Sequence, residues 1–250
     1  MKRRHFIKTL AVAGICPICA QAARASEGVH WSYGGDTGPE HWGDLDESYA
    51  TCATGTQESP INITGAIDAD IPQIAIDWKT GGTMVNNGHT IVINTPDGST
   101  LTRGNKVYDL LQYHFHAPSE HLVDGQAYPM EAHFVHKDRG TGDLGVLGVF
   151  LKPGETNTAF ASLAAAFPSE AGAQADVDMV DPNGLLPATL RYWNYEGSLT
   201  TPPCSEIVTW MVATDPLEVA AGDIERFTAI YSGNARPVLD TNRRFVLISS

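Results

Sequence analysis

Positive charge is scarce in this sequence of 250 residues. It carries 16 Lys and Arg against 29 Asp and Glu, a formal net charge of −13. Five of the basic residues (Lys2, Arg3, Arg4, Lys8 and Arg24) fall within the first 25 positions, which hold no acid. Residues 26–250 therefore carry 11 basic against 29 acidic groups, or −18. Such a surface repels nucleic-acid phosphates and anionic lipids, so nucleic acid is excluded as a partner. Long apolar runs are lacking as well: Phe6–Ala20 is too short to span a bilayer. There is no internal repeat and no low-complexity linker, which argues against a solenoid or a string of domains. Cysteine is rare, with four in the whole chain.

What is present at the start has a clear order. MKRR is basic, Phe6–Ala20 is apolar, and Ala23-Arg24-Ala25 supplies small residues before Ser26. That is the order of an export signal, with cleavage expected after Ala25. Arg3-Arg4-His5-Phe6-Ile7-Lys8 resembles a twin-arginine signal. The sequence thus predicts a signal peptide over 1–25, one domain over 26–250, and a periplasmic or secreted protein. Residues 26–250 suffice for a single domain burying roughly 70 % of its unfolded surface. The C-x-x-C of Cys16 and Cys19 lies inside the discarded run, so no redox or metal role is assigned to it. Cys52 and Cys204 are what remains, in an oxidising compartment where a bridge persists. A Cys52–Cys204 disulfide is predicted, holding the neighbouring Thr200–Pro203 loop.

Short β-branched stretches bounded by Gly, Pro or Asn read as strands: Thr90–Asn94, Tyr108–His116, Ala132–His136, Gly145–Leu151, Leu190–Tyr195 and Ile207–Ala213. Thr158–Phe167 and Ala221–Tyr231 have helical spacing, and Pro168 is a stop for the former. Ser169–Ala175 reads as a surface loop. The first sixty residues show no period and read as irregular structure packed on a sheet. The class is mainly β (α+β).

Nine histidines occur in the chain, and five of them (His114, His116, His121, His133 and His136) lie within Leu110–His136. Side chains two apart share a face of a strand. Gln112, His114 and His116 therefore share one face, and Glu131, His133 and Val135 share one on the second strand. With the strands adjacent, His114, His116 and His133 converge. Three imidazoles and an open fourth position suit catalytic zinc, and Gln112 and Glu131 are natural acceptors for the outer ring nitrogens. An H-x-H pair on a strand is otherwise an ordinary polar pair. His114-x-His116-x-x-x-Glu120 also fits half of a cupin metal motif, but Tyr108 replaces the leading glycine, and His133 has no P-x-G nearby and no Asn following it.

Gln112–His116, Ser119-Glu120-His121, Glu131–His136 and YEGSLTTPPCSE (Tyr195–Glu206) resemble the α-class carbonic anhydrases. GPEHW (Gly38–Trp42), QESPINI (Gln57–Ile63) and NNGH (Asn86–His89) match the same family in the same order. The resemblance covers Trp31 to about Arg244. It implies a large, twisted, mostly antiparallel central sheet with a few peripheral helices, and reversible hydration of CO2 to bicarbonate by zinc-bound hydroxide. It also implies Zn2+ on His114, His116 and His133, and a Thr200–Glu120 hydrogen-bonded pair that orients the nucleophile. Val135, Val146, Leu199, Thr201 and Trp210 then line the substrate pocket, Tyr33 and Asn87 order water, and His89 shuttles the proton. His121 becomes a member of a buried hydrogen-bond network. His136, facing away, is structural, and His30 and His41 have no role.

Cis bonds are implied at Ser59–Pro60 and Pro202–Pro203. Val92, three after His89, departs from the family, which often has a water-ordering Asn or Gln there. Two other classes stand beside the enzyme: an inactive binding domain of the same fold, and a periplasmic zinc-binding protein. A homodimer is left open.

Overall fold

The computed structural model describes residues 29–249. The export signal, the cleavage point after Ala25 and the Cys16–Cys19 pair lie outside the described residues. Ten strands form the main path of one large sheet. They are β1 (Ile67–Ala69), β2 (Thr83–Asn86), β3 (Ile91–Asn94), β4 (Lys106–His116), β5 (Met130–Asp138), β6 (Leu144–Pro153), β7 (Gln174–Asp176), β8 (Tyr192–Gly197), β9 (Val208–Ala213) and β10 (Leu247–Ser249). Their spatial order is β7-β2-β3-β4-β5-β6-β9-β8-β10-β1. Only β6–β9 and β10–β1 are parallel along this path, so the sheet is mixed but mostly antiparallel. Ile74–Asp77, Thr100–Arg103 and Leu217–Val219 pair off the main path.

Two helices, α1 (Thr158–Ala166) and α2 (Ala221–Thr228), cover one face of the sheet. Phe160, Leu163, Ile224 and Phe227 pack there with Tyr113, Phe115, Ala132, Phe134, Leu147 and Val149. Asn157 caps α1 by accepting from Phe160 N–H at 2.9 Å. The helix stops at Ala166 because Phe167, before Pro168, is driven out of helical conformation. The second apolar cluster, on the other face, contains Val146, Phe150, Val208, Trp210 and Val212, with Val135 and Leu199 packed against it.

Central strands buried on both faces have no simple alternation, and a bulge resolves the conflict in β4. Val135 pairs with Gln112 but His136 pairs with Leu110, so Leu111 is the extra residue. Leu110 and Tyr113 would fall on opposite faces of a regular strand, yet both join the helix-covered core, while Leu111 packs into the other cluster.

The expected strands are present with ends shifted by at most two residues. α2 ends at Thr228, short of the expected Tyr231. Ser169–Ala175 is not all loop: from Gln174 it pairs with β2 as the sheet's edge. The irregular start consists of short helical turns such as Trp42–Leu45 and Thr51–Thr54.

Candidate metal centre

β4 and β5 run antiparallel, with His114 opposite His133 and His116 opposite Glu131. Alternation then puts all four on the face that bears Val135 and away from the helix-covered core. The three imidazoles meet at centroid distances of 5.0 Å (His114–His116), 5.4 Å (His114–His133) and 4.7 Å (His116–His133). One ring nitrogen from each lies within 4.8 Å of the others.

The remaining ring nitrogens are all committed. His114 Nδ1–H donates to Gln112 Oε1 at 2.9 Å, His116 Nδ1–H to the Asn234 carbonyl at 2.7 Å, and His133 Nε2–H to Glu131 Oε1 at 2.8 Å. These acceptors fix each tautomer, leaving His114 Nε2, His116 Nε2 and His133 Nδ1 with lone pairs to offer. His116 Nε2 is buried and has no hydrogen-bond partner.

Burial lowers the pKa of His114 well below the usual imidazole value, and any charge on His116 and His133 lowers it further. Burial lowers His116 as well. Both rings are therefore neutral near pH 7, the form that ligates a metal. Burial also opposes charge on His133, but the Glu131 carboxylate beside it more than offsets this and raises its pKa. For Glu131, burial favours the neutral form; His121 and His133 outweigh it and hold the carboxyl well below the usual range.

Glu131 is saturated. Its Oε1 accepts from His121 Nδ1–H (2.7 Å) and His133, and its Oε2 from the backbone N–H groups of Glu120 (3.0 Å) and His121 (2.9 Å). The Tyr195 hydroxyl lies between His121 Nε2 (2.6 Å) and Ser59 Oγ (3.0 Å). His121, Glu131 and His133 also cluster closely enough to suggest a second metal group. Their facing atoms are already joined by hydrogen bonds, so this is a polar network.

Residues 37–249 match the family model described as eukaryotic-type carbonic anhydrase. The chain belongs to the α-class carbonic anhydrases. It is 42 % identical over 234 residues to a carbonic anhydrase of Neisseria gonorrhoeae, covering 92 % of each chain. To one of Pectobacterium carotovorum it is 37 % identical over 241 residues, covering 95 % of this chain and 98 % of the other. Among solved structures it is similar to the α-carbonic anhydrase of Thermovibrio ammonificans in complex with the inhibitor sulfanilamide. There the TM-score is 0.85 at 42 % identity, covering 88 % of this chain and 99 % of that one. The enzyme is a carbonic anhydrase, and its small-molecule reaction is the hydration of CO2.

Other expected site residues of this carbonic anhydrase fall around the histidines. Val146 pairs with both Val135 and Trp210 across β6, and these three with Leu199 form one apolar wall. Trp210 meets His133 edge-on at 4.9 Å, and its indole N–H donates to Ser198 O at 3.1 Å. Thr200 is buried and Thr201 half-buried beside that wall. Cys204 N–H donates to Thr201 O at 2.9 Å, and Cys204 is bonded to Cys52 as expected. The cis bonds at Ser59–Pro60 and Pro202–Pro203 are present, with a third at Ala117–Pro118 that the sequence did not signal.

The expected Thr200–Glu120 hydrogen bond is not formed in this structure. Glu120 Oε1 accepts from Arg236 N–H at 2.8 Å, and Oε2 has no hydrogen-bond partner. That oxygen lies 3.5 Å from His116 Nε2 and 3.8 Å from His133 Nδ1.

His89 sits in the β2–β3 turn, which Gly88 closes with φ +89°. Asn87 Oδ1 accepts from the N–H groups of His89 and Thr90, each at 2.9 Å. Its oxygen is thus spent on the turn, and only its amide N–H2 is free for water. Tyr33 has its hydroxyl pKa raised well above the usual value by burial and by the Glu120 charge. Val92 pairs directly with His114.

His30, given no role from sequence, lies 6.4 Å from His89 ring to ring. Asn234 and Arg236 were missed altogether. Arg236 Nη1–H donates to Glu58 Oε2 (2.6 Å) and Ser59 O (2.8 Å), and Nη2–H to Cys52 O (3.1 Å). Nothing in the run SGNARPV marks either residue, because their partners are more than a hundred positions away.

Proposed function

We propose that the enzyme hydrates CO2 reversibly at a Zn2+ ion held by His114 Nε2, His116 Nε2 and His133 Nδ1. The donor set fits the group: three nitrogens facing one another, each opposite nitrogen anchored to an oxygen, and no cysteine to close the site. The observation that carries the reading is the buried, unpartnered Nε2 of His116 beside the other two histidines. When bound, zinc supplies the Lewis acidity that makes water a nucleophile at neutral pH.

The chain's own residues do the rest. Val135, Val146, Leu199 and Trp210 offer CO2 an apolar seat from which water is excluded, and Thr201 borders it. A hydroxyl has one proton and two lone pairs. With Glu120 Oε2 turned to accept from Thr200, the Thr200 oxygen can only accept from the nucleophile, which orients it. Tyr33 and the amide of Asn87 face the water that leads to His89, and His89 takes the proton to solvent.

The Cys52–Cys204 bridge supports an exported, periplasmic or secreted enzyme. Among the described residues no helix is long and apolar enough to cross a membrane. The open question of a homodimer is read by sedimentation.

Zinc content with stopped-flow CO2 hydration, before and after chelation, tests the proposal. One zinc per chain, with hydration lost on chelation and restored by zinc, is the expected result. Zinc without hydration would make the protein a zinc-binding protein. Neither zinc nor hydration would make it an inactive binding domain.

A further inference from the structure

The geometry points to Asn234 as a positioning residue that couples the metal centre to the shuttle turn. This rests on the proposed zinc reading and extends it. Asn234 is 3 % exposed, and all of its polar groups on this side are engaged. Its backbone carbonyl accepts from His116 Nδ1–H at 2.7 Å. Its side-chain Oδ1 accepts from Ala117 N–H at 2.9 Å. Its Nδ2 donates to the carbonyls of Phe115 (3.1 Å) and His89 (3.2 Å). One residue therefore grips a proposed ligand through its backbone, the end of β4 through both side-chain atoms, and the His89 backbone through its amide.

His89 is otherwise held by its own turn, through Asn87 Oδ1, and by Trp31 on its ring. The Asn234 amide ties the His89 backbone to the end of β4, beside the Thr90 hydroxyl, which donates to the same Phe115 carbonyl. A metal that immobilises the His116 ring immobilises its acceptor, the Asn234 carbonyl, and the same residue's amide then restrains residues 86–90. Neighbouring Arg236, through its backbone N–H, holds Glu120. The Asn234–Arg236 segment thus sets the spacing of His116, Glu120 and His89.

Only a side chain with both a donor and an acceptor can do this. Asn234→Asp keeps the shape and the acceptor but turns an oxygen toward two carbonyls. Asn234→Ala removes both functions without that repulsion. Neither substitution removes the backbone carbonyl that accepts from His116, so both variants should still bind zinc.

The test uses the whole mature enzyme with Zn2+ alone as the probe. Backbone hydrogen exchange over residues 86–90 is followed with and without zinc, together with zinc release into a chelator. In the unaltered enzyme, zinc should slow exchange in that turn. In both variants that protection should largely vanish while zinc is still bound. A loss of packing alone would raise exchange equally with and without zinc. If zinc binds the unaltered enzyme and leaves exchange at 86–90 unchanged, the coupling is overturned without recourse to any variant. It is also overturned if the variants keep zinc-induced protection. Failure of the unaltered enzyme to take up zinc at all would instead remove the metal reading, and this coupling with it.

Discussion

Trp31 lies flat on His89, with ring centroids 3.8 Å apart and planes within 6°. Burial of the His89 ring lowers its pKa, and His30 adds to the effect. The proposed shuttle role calls for a pKa near the operating pH, so the surroundings of this ring bear on that step. Trp31→Ala should move the His89 pKa back up toward the ordinary imidazole value, measured by NMR titration of the ring C–H signals. An unmoved titration would show that the stack does not tune the group.

The role of His89 itself is separable from folding. His89→Ala should lower kcat in dilute buffer by about 100-fold, the lower end for a positioned acid–base group. The ratio kcat/KM should hardly change, and added imidazole should recover much of the loss. A variant with the parent's kcat in dilute buffer would show that the proton leaves by another route, with Val92 the first residue to change.

At the metal centre, His133→Ala should abolish zinc retention and hydration together. Glu131→Gln should cost less, about 10–100-fold in zinc affinity, because Gln still accepts from His133. Zinc analysis and competition with a chelator give both numbers. Full zinc in His133→Ala would remove that residue from the ligand set.

Gly148 pairs with His133 across β5–β6, and a Cβ there would stand 2.9 Å from Glu131 Oε1. That oxygen accepts from both His121 and His133. Gly148→Ala should therefore displace Glu131 and weaken zinc about as much as Glu131→Gln does, roughly 10–100-fold. Unchanged affinity would mean that the strand can shift to take up the methyl group.

His136 lies buried against Trp78, with a single 3.3 Å bond from Nδ1 to Gly145 O, and burial lowers its pKa to about 4. Unfolded, it titrates near the ordinary value of about 6.5. Between these values the unfolded chain binds a proton that the native protein does not. Stability is therefore fully present above about pH 6.5 and falls as pH drops toward 4, by up to about 3 kcal/mol. Urea midpoints from pH 7 to 4 should show a flatter slope for His136→Gln than for the parent. Parallel slopes would place the native pKa near its unfolded value.

The sequence by itself determined the parts of this protein that depend on short-range order. Period two in Gln112–His116 and Glu131–Val135 put the histidines and their two acceptors on one face. The absence of any other cysteine in residues 26–250 paired Cys52 with Cys204. Pro168 marked a helix end through backbone sterics that need no tertiary partner. The family resemblance supplied the rest of the expected site, including a Thr200–Glu120 bond that is absent here. Only the tertiary structure decided which groups fill the remaining valences. Asn234 reaches His116 across 118 positions and Arg236 reaches Glu120 across 116. The bulge at Leu111 exists because two cores compete for one strand. Periodicity is written along the chain, whereas a buried hydrogen bond between distant segments depends on which strands and loops packing brings together.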